Sequence, residues 1–337
     1  MSRTVVVVGG GIAGVACARR LHDAGVRVRI YERGRRIGGR MAVKTEYVGP
    51  VSSLSVGHAV DIGAPYFTVR ESLFAHVVAA WQHAGLAQPW TDKFSVLDEA
   101  GLRPESHGMQ RWSTVPGAGG LRGLVENLAQ GLRVETAHLV ESVGLENGRP
   151  TVDGEPVAAV VLAMPDPQAE RLLPASVASG LGVSGSGQHP VLTLWAPWSG
   201  RWWPEFDGVF VNHSDVLTWI ADSGRSHADG VPLLVAHSTS DFARPRLKNP
   251  SSGIEPMLAE LGRVLGAEPT PQAEWARIHR WSFAAPARTH LEPFGLHGTG
   301  DSSGLIGVCG DAWGPRSRVE QAWMSGNGLA ETLLKHL

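Results

Sequence analysis

The chain has 337 residues, 43% of them apolar and 18% charged, with a mean hydropathy of −0.05; that length exceeds one ordinary core and suits two interlocked domains. Thirty basic side chains against 32 acidic ones leave no positive excess to neutralise a phosphate backbone, which argues against nucleic acid as the primary partner. Two cysteines are too few for a disulfide framework or a zinc site, and no apolar run approaches the roughly 20 residues of a membrane helix. Met1-Ser2-Arg3-Thr4 leads straight into an apolar run, so no signal peptide is expected and a cytoplasmic location is.

Residues 4–8 are a continuous β-branched run, the pattern of a parallel strand buried on both faces. Glycines follow, then a helical pattern over 12–24 that Gly25 stops, then a strand over 26–32, together a βαβ unit. Residues 68–84 read as an amphipathic helix with Leu73, Val77, Ala80 and Trp81 on one side. Residues 121–130 read as a helix, 132–143 as two short strands, and 157–163 as a second fully apolar strand ended by Pro165 and Pro167. Five short runs, 191–195, 208–211, 217–221, 233–238 and 278–283, are divided by Gly, Pro, Asn and Asp and predict an antiparallel sheet of mixed exposure. A helix is expected over 256–265, a buried strand over 305–309 and a long helix over 318–336. The expected fold is α/β. A Rossmann-type dinucleotide domain takes residues 1–63, 112–166 and 300–337, and an inserted, mainly antiparallel substrate domain takes 64–111 and 167–299.

Gly9-x-Gly11-x-x-Gly14 lies between the first strand and the first helix, and Glu32 ends the next strand 18 residues after Gly14. Gly9 allows the tight turn, Gly11 lets the backbone approach a pyrophosphate, and Gly14 lets helix and strand pack closely. The helix start at Ile12 and Ala13 offers unpaired N–H groups and partial positive charge to the phosphates. Glu32 can accept from ribose hydroxyls and would repel a 2′-phosphate. The following Arg33-Gly34-Arg35-Arg36-Ile37-Gly38-Gly39-Arg40-Met41 resembles the second dinucleotide motif of FAD oxidoreductases of the amine-oxidase and glutathione-reductase type. By that resemblance Gly39 exposes backbone amides, Arg40 serves a second phosphate, and Arg33 and Met41 flank the cofactor. Near the C-terminus, Gly310-Asp311 follows a buried strand. In flavoproteins of this type the aspartate bonds the ribityl chain, and a helix N-terminus, here with Val319 and Ala322, faces the flavin and favours its anionic reduced form. Gly63, Ala64 and Val140 complete the expected contacts to one non-covalent FAD.

Longer stretches extend the resemblance over almost the whole chain. Asp61-Ile62-Gly63-Ala64-Pro65-Tyr66-Phe67 is similar to an Asp-x-Gly-Ala-Gln-Tyr-Phe segment of renalase-like proteins. Val235-Ala236-His237-Ser238-Thr239-Ser240, His279-Arg280-Trp281, and Arg318-Val319-Glu320 with Ala322-Trp323 and Ser325-Gly326 resemble further segments of that family. The family implies an FAD enzyme that oxidises wrongly reduced isomers of NAD(P)H and passes the electrons to O2. Three departures stand out. Pro65 replaces the family's Gln, Asp222-Ser223-Gly224-Arg225 replaces an Asn-Ser-Lys-Pro-like turn, and about eight extra residues separate Arg40 from Asp61.

A flavin supplies its own electron sink, so the protein's task is to place a C–H bond and exclude water. His237 is the expected polar group for orienting or polarising a substrate. Tyr66 is expected beside the flavin, and Trp281 and Trp313 as pocket walls, whereas Cys309 reads as core. None of the four lysines falls in an expected strand of the inserted domain, so a lysine-bound water of the kind many amine oxidases use has no candidate. Of three tyrosines, Tyr31 ends the second strand, so a two-tyrosine cage would need Tyr47. Amine oxidation also calls for a base, whereas loss of hydride from a dihydropyridine gives the aromatic cation directly. A small-molecule donor, an isomeric dihydronicotinamide, with O2 as acceptor is therefore the expected reaction. A flavin amine oxidase and a non-catalytic flavin-binding redox module are the alternatives. The Gly-Asp-Ala-Trp continuation sets the chain apart from aromatic hydroxylases. No metal site is expected, and the oligomeric state is not legible.

Overall fold

A computed structural model of the protein describes residues 4–46, 57–99, 101–104, 108–183, 185, 187–298 and 304–337. Tyr47 and the rest of 47–56, half of the stretch between Arg40 and Asp61, lie outside these residues. Thr4–Val8 forms the centre of a six-stranded sheet. Its order is Arg133–Thr136, Arg27–Glu32, Thr4–Val8, Ala159–Leu162, Leu305–Val308 and Gly295–His297, parallel except for the last strand. Ala159–Leu162 and Leu305–Val308 are buried at every residue, as runs with no polar alternation require. This is a Rossmann-like α/β dinucleotide-binding fold.

The first helix, Ile12–Asp23, and the terminal helix, Val319–Leu333, cover one face of the sheet. They approach closely because Gly326 carries no side chain. A Cβ there would stand 1.9 Å from the Ala13 carbonyl oxygen. Gly14 does the same toward the sheet, where a Cβ would meet the Gly9 carbonyl oxygen at 2.1 Å.

The second large sheet has seven strands. Arg277–Pro286, Gln188–Pro197, Leu233–Ser238, Leu217–Asp222 and Gly208–Val211 run antiparallel in that order, and Ser95–Asp98 joins Gly208–Val211 in parallel before a hairpin to Gly101–Pro104. All five short runs expected from the sequence take part. Leu234 and Ala236 turn to one face, into a core with Met257 and Leu261 of the Ile254–Leu265 helix. Leu233 and Val235 turn to the other, against Val60, Ile62 and Trp195.

The structure differs from the sequence reading in four places. The helix expected over 68–84 starts at Ser72, because Phe67–Thr68 instead pairs with Arg111 and Trp112 as a short strand. Its inward face is Phe74, Val78 and Trp81, and Leu73 is 52% exposed; of the expected face only Trp81 is fully buried. Residues 132–143 hold one strand, since Ala137 turns with a φ of 53° and Val140 is buried without joining a ladder. Trp313 does not wall a pocket: it is buried in the core behind the six-stranded sheet and stacks on His290 at 3.8 Å. Finally, segments assigned by sequence to the inserted unit pack on the six-stranded sheet. Phe67, Phe74, Val78 and Trp81 join the core under the first and terminal helices, Ala169, Val177 and Leu181 join the opposite core, and Gly295–His297 is the sheet's edge.

Candidate functional site

The glycine turns build a cradle. Gly9 adopts a φ of +114° and could carry no side chain, because a Cβ would lie 2.3 Å from the Ala163 carbonyl oxygen. The first helix opens at Gly11 without a side-chain cap, which leaves its first N–H groups for a ligand. Gly39, with a φ of +53°, comes close to Gly11: a Cβ on Gly39 would sit 3.2 Å from the Gly11 Cα. Two glycine loops thus meet with no side chain between them. Ile12, Ala13 and Met41 are buried around them, while Gly39 and Arg33 are exposed.

Glu32 ties these loops together. Its Oε2 accepts from Gly10 N–H at 2.8 Å and its Oε1 from Gly34 N–H at 2.6 Å. A carboxylate has room for further donors beyond these two, so the arrangement fits a ribose at the same oxygens. Arg40 and Asp311, expected to act separately, are brought together. The Arg40 guanidinium binds Asp311 through both Nη atoms, the Nη1–Oδ2 bond measuring 2.9 Å, and Ser317 Oγ also donates to Asp311. Arg40 also anchors the next motif, since its carbonyl accepts Ala64 N–H at 2.8 Å. A Cβ on Gly63 would meet that same oxygen at 2.0 Å and Trp281 at 3.2 Å. Trp281 in turn donates its Nε1–H to the Ile62 carbonyl at 2.9 Å. Gly63, Ala64, Arg40, Asp311 and Trp281 therefore form one contiguous wall, and Gly310 is held by its N–H bond to Ser325 Oγ at 3.1 Å. Val140 lies apart, in the core with Val8 and Val143. Val319 is half-buried and Ala322 buried at the start of the terminal helix, which also lacks a side-chain cap.

His237 sits on the Leu233–Ser238 strand, and strand alternation puts it on the same face as Val235, toward Val60, Ile62 and Trp281. The cross-strand register lines up His279, Thr193, His237, Trp219 and Phe210 in a single row. Three of these carry buried polar atoms with no hydrogen-bond partner: Thr193 Oγ1, His237 Nε2 and Trp219 Nε1. A buried polar group left unpaired costs about 1–3 kcal/mol, so three in one row mark a surface built to meet something. Burial pushes the His237 pKa down to about 4, which leaves the imidazole neutral at physiological pH. Burial, reinforced by the charges of Lys44 and Arg280, lowers that of His279 as well. Tyr66 completes the row at its far end, with its ring 5.9 Å from Trp219 and 5.0 Å from Phe94. Thr193, Trp219 and Phe94 were not singled out from sequence; the strand register, which needs the pairing partners, is what reveals the first two.

Asp61 has a structural place. Its Oδ1 accepts Leu121 N–H at 2.8 Å, capping the Gly120–Leu128 helix, and its Oδ2 lies 3.1 Å from His227 Nε2. His227 stands edge-on to His58, which reaches Ser223 Oγ at 2.9 Å and pairs with Asp229. The turn at Asp222–Arg225 is likewise structural: Asp222 is 1% exposed and binds Arg201, Trp203 Nε1 and Arg225 N–H. Cys309 is fully buried, with its thiol pushed up to about 12 by burial.

A family model of NAD(P)-binding Rossmann-like domains matches residues 7–81. Human flavin-containing amine oxidase B is 37% identical over 78 residues, 20% of this chain and 15% of that protein. Polyamine oxidase 2 of Arabidopsis thaliana is 43% identical over 79 residues, 23% of this chain and 14% of that protein. The matched stretch is thus a minor part of either relative. Over the full chain, a cyclohexylamine oxidase from Brevibacterium oxydans superposes with a TM-score of 0.73 at 14% identity, covering 100% of this chain and 99% of that one. A putrescine oxidase bound to putrescine gives 0.72 at 14% identity, covering 99% of both. At that identity the likeness establishes the fold.

Proposed function

We propose that the protein is an FAD-dependent oxidoreductase that takes a hydride from a small molecule, an isomeric dihydronicotinamide of the kind renalase-like proteins oxidise, with O2 as the final acceptor. When bound, the flavin supplies a two-electron acceptor for the hydride and returns the electrons to O2 as hydrogen peroxide. The residues present fit that cofactor. The Gly11–Gly39 cradle would hold a pyrophosphate and Glu32 a ribose, and the Arg40–Asp311 pair with the uncapped terminal helix would lie toward the ring. Human amine oxidase B is named as flavin-containing, which supports a flavin over a nicotinamide cofactor in the cradle.

The observation that carries the substrate reading is the row Thr193, His237 and Trp219. A neutral imidazole and a hydroxyl can each donate to or accept from a carboxamide, and neither needs to remove a proton for a dihydropyridine to lose hydride. Among the described residues no lysine stands in the seven-stranded sheet, and Tyr66 has an indole and a phenyl ring, not a second phenol, as its ring neighbours. The amine-oxidase reading is favoured by the names of the matched relatives. An anaerobic panel decides between them. Dihydronicotinamides reduced at a non-standard ring position should bleach the flavin within seconds, with NADH and simple amines far slower. Fastest reduction by benzylamine or a polyamine would establish the amine oxidase, and a flavin that no donor reduces would establish a redox module.

The cofactor assignment has its own check. Denaturation and filtration of the purified protein should release all flavin as FAD; flavin retained on the polypeptide, or FMN in the filtrate, contradicts it. Glu32→Arg should weaken FAD binding by roughly 1.5–3 kcal/mol, the worth of a hydrogen bond to a charged group, as read by the free-flavin fraction at fixed protein concentration.

A further inference from the structure

Glu320 in the first turn of the terminal helix is 4% exposed. Its Oε1 accepts the N–H groups of Arg70 at 2.6 Å and Glu71 at 2.8 Å. This clamp fixes the backbone that leads from Tyr66 to the Ser72–His83 helix, while Glu320 itself is turned to those amides. Arg316 and Arg318 come from the loop just before the terminal helix. The backbone at Arg70 and the loop that carries Arg316 and Arg318 are thereby brought side by side.

Among the described residues none of the three forms an ion pair, and none donates a side-chain hydrogen bond to the protein. Arg318 is half-buried, Arg70 and Arg316 are exposed. Arg318 has its pKa lowered first by burial and then by the like charges of Arg70 and Arg316, with Glu320 and Tyr66 opposing. Like charges held together are unfavourable, and the carboxylate beside them, Glu320, is turned to the Arg70 and Glu71 amides. The cluster also has a direction. Arg318 lies within electrostatic range of the Tyr66 phenol, and Tyr66 packs beside Trp219, which pairs across the sheet with His237. The positive charge therefore sits at the Tyr66 end of the row that faces the substrate. It is distinct from the Gly11–Gly39 cradle and from Arg40, which is already bound to Asp311.

We propose that Arg70, Arg316 and Arg318 bind the phosphate portion of the substrate, so that the protein selects nucleotide forms of its donor over the corresponding nucleoside. This rests on the dihydronicotinamide reading for the donor's identity but not for the anion site itself. Guanidinium forks match phosphate oxygens bidentately, and three positive charges complement a diphosphate. Such recognition weakens with added salt where the groups are exposed.

The test uses the FAD-loaded protein, wild type and Arg316→Gln/Arg318→Gln, with Arg70→Gln as a separate variant that leaves the helix start intact. Anaerobic flavin reduction is followed against concentration for one dihydronicotinamide isomer as its dinucleotide and as its uncharged riboside. The expected result is a half-saturating concentration for the dinucleotide raised about 10- to 100-fold, the worth of one or two charged hydrogen bonds, with that for the riboside moved less than about 2-fold. Equal effects on both donors, or none on either, overturn the proposal. Calorimetric titration with inorganic pyrophosphate separates this from the reading beneath it. If no dihydronicotinamide reduces the flavin, yet wild type binds pyrophosphate and the variants do not, the donor assignment fails and the anion site stands. Pyrophosphate binding equally to all forms, or more weakly than succinate at matched ionic strength, overturns the phosphate site.

Discussion

His237→Phe should keep FAD and the fold but slow anaerobic flavin reduction by about 10- to 1000-fold, the range for a positioned polarising group. The substitution removes a donor and acceptor from the middle of the Thr193–His237–Trp219 row and puts a ring of similar size in its place. Because Nε2 has no protein partner, no buried group is orphaned by the change, and the melting temperature should move little. A structural histidine would give the reverse: normal reduction with a clearly lowered melting temperature. The depressed pKa adds a second readout. With the ring titrating at about 4, the wild-type reduction rate should show no histidine inflection near the usual pKa of about 6.5. An inflection there that vanishes in His237→Phe would show the imidazole to be solvated and would remove the basis for its neutral role.

Asp61→Ala should be the most destabilising single change outside the glycine turns, by about 3–5 kcal/mol, the cost of breaking a buried ion pair. Both partners are buried, His227 at 3% and Asp61 at 7% side-chain exposure, and the substitution also uncaps the helix at Leu121. The pH dependence has a definite sign. Burial works against charge on His227, but the hydrogen bond and charge of Asp61, with the charge of Asp229, outweigh it and raise the pKa. A raised histidine contributes stability that is complete below the unfolded value of about 6.5 and is lost as pH rises through the folded one. The wild-type melting temperature should therefore fall as pH climbs above about 6.5, and Asp61→Ala should flatten that slope. On the acid side, burial resists ionisation of Asp229, but bonding to His58 and its charge lower the pKa overall. Its contribution is present above about pH 4 and fades as pH falls through the lower folded value. An unaltered alkaline slope in Asp61→Ala would show that His227 is not the group responsible.

The dinucleotide half of the molecule was readable from the sequence because its signals are local. β-branched runs without polar alternation read as doubly buried strands, and Gly9 and Gly14 occupy positions where the structure has no room for a Cβ. The short strands of the second sheet were legible for the same reason, from alternation and turn residues. What escaped depends on partners far along the chain. The helix face at Phe74, Val78 and Trp81 was misread because its start is set by the pairing of Phe67 and Thr68 with a strand about 44 residues later. The Thr193–His237–Trp219 row exists only once three strands have chosen their register. Arg40 and Asp311 each carried a motif, but their contact spans 271 residues and no local pattern announces it. Asp61 opens a segment similar to renalase-like proteins, and no local pattern announces that its carboxylate is engaged by a helix start and a histidine.

The contact between Gly326 and the Ala13 carbonyl has a consequence for biosynthesis. Ala13 lies in the first turn of the Ile12–Asp23 helix, and Gly326 emerges more than three hundred residues later. The sheet beneath them is equally slow to close, since Thr4–Val8 must wait for Ala159–Leu162, and that strand for Leu305–Val308. The first helix therefore cannot reach its final packing until the helix that carries Gly326 has been made. Long-range pairings of this kind slow folding, and FAD capture would coincide with docking of the Val319–Leu333 helix. Cofactor supply at that moment would draw chains into the native state by mass action, so riboflavin-starved cells should accumulate less of this protein, not merely more of its apo form.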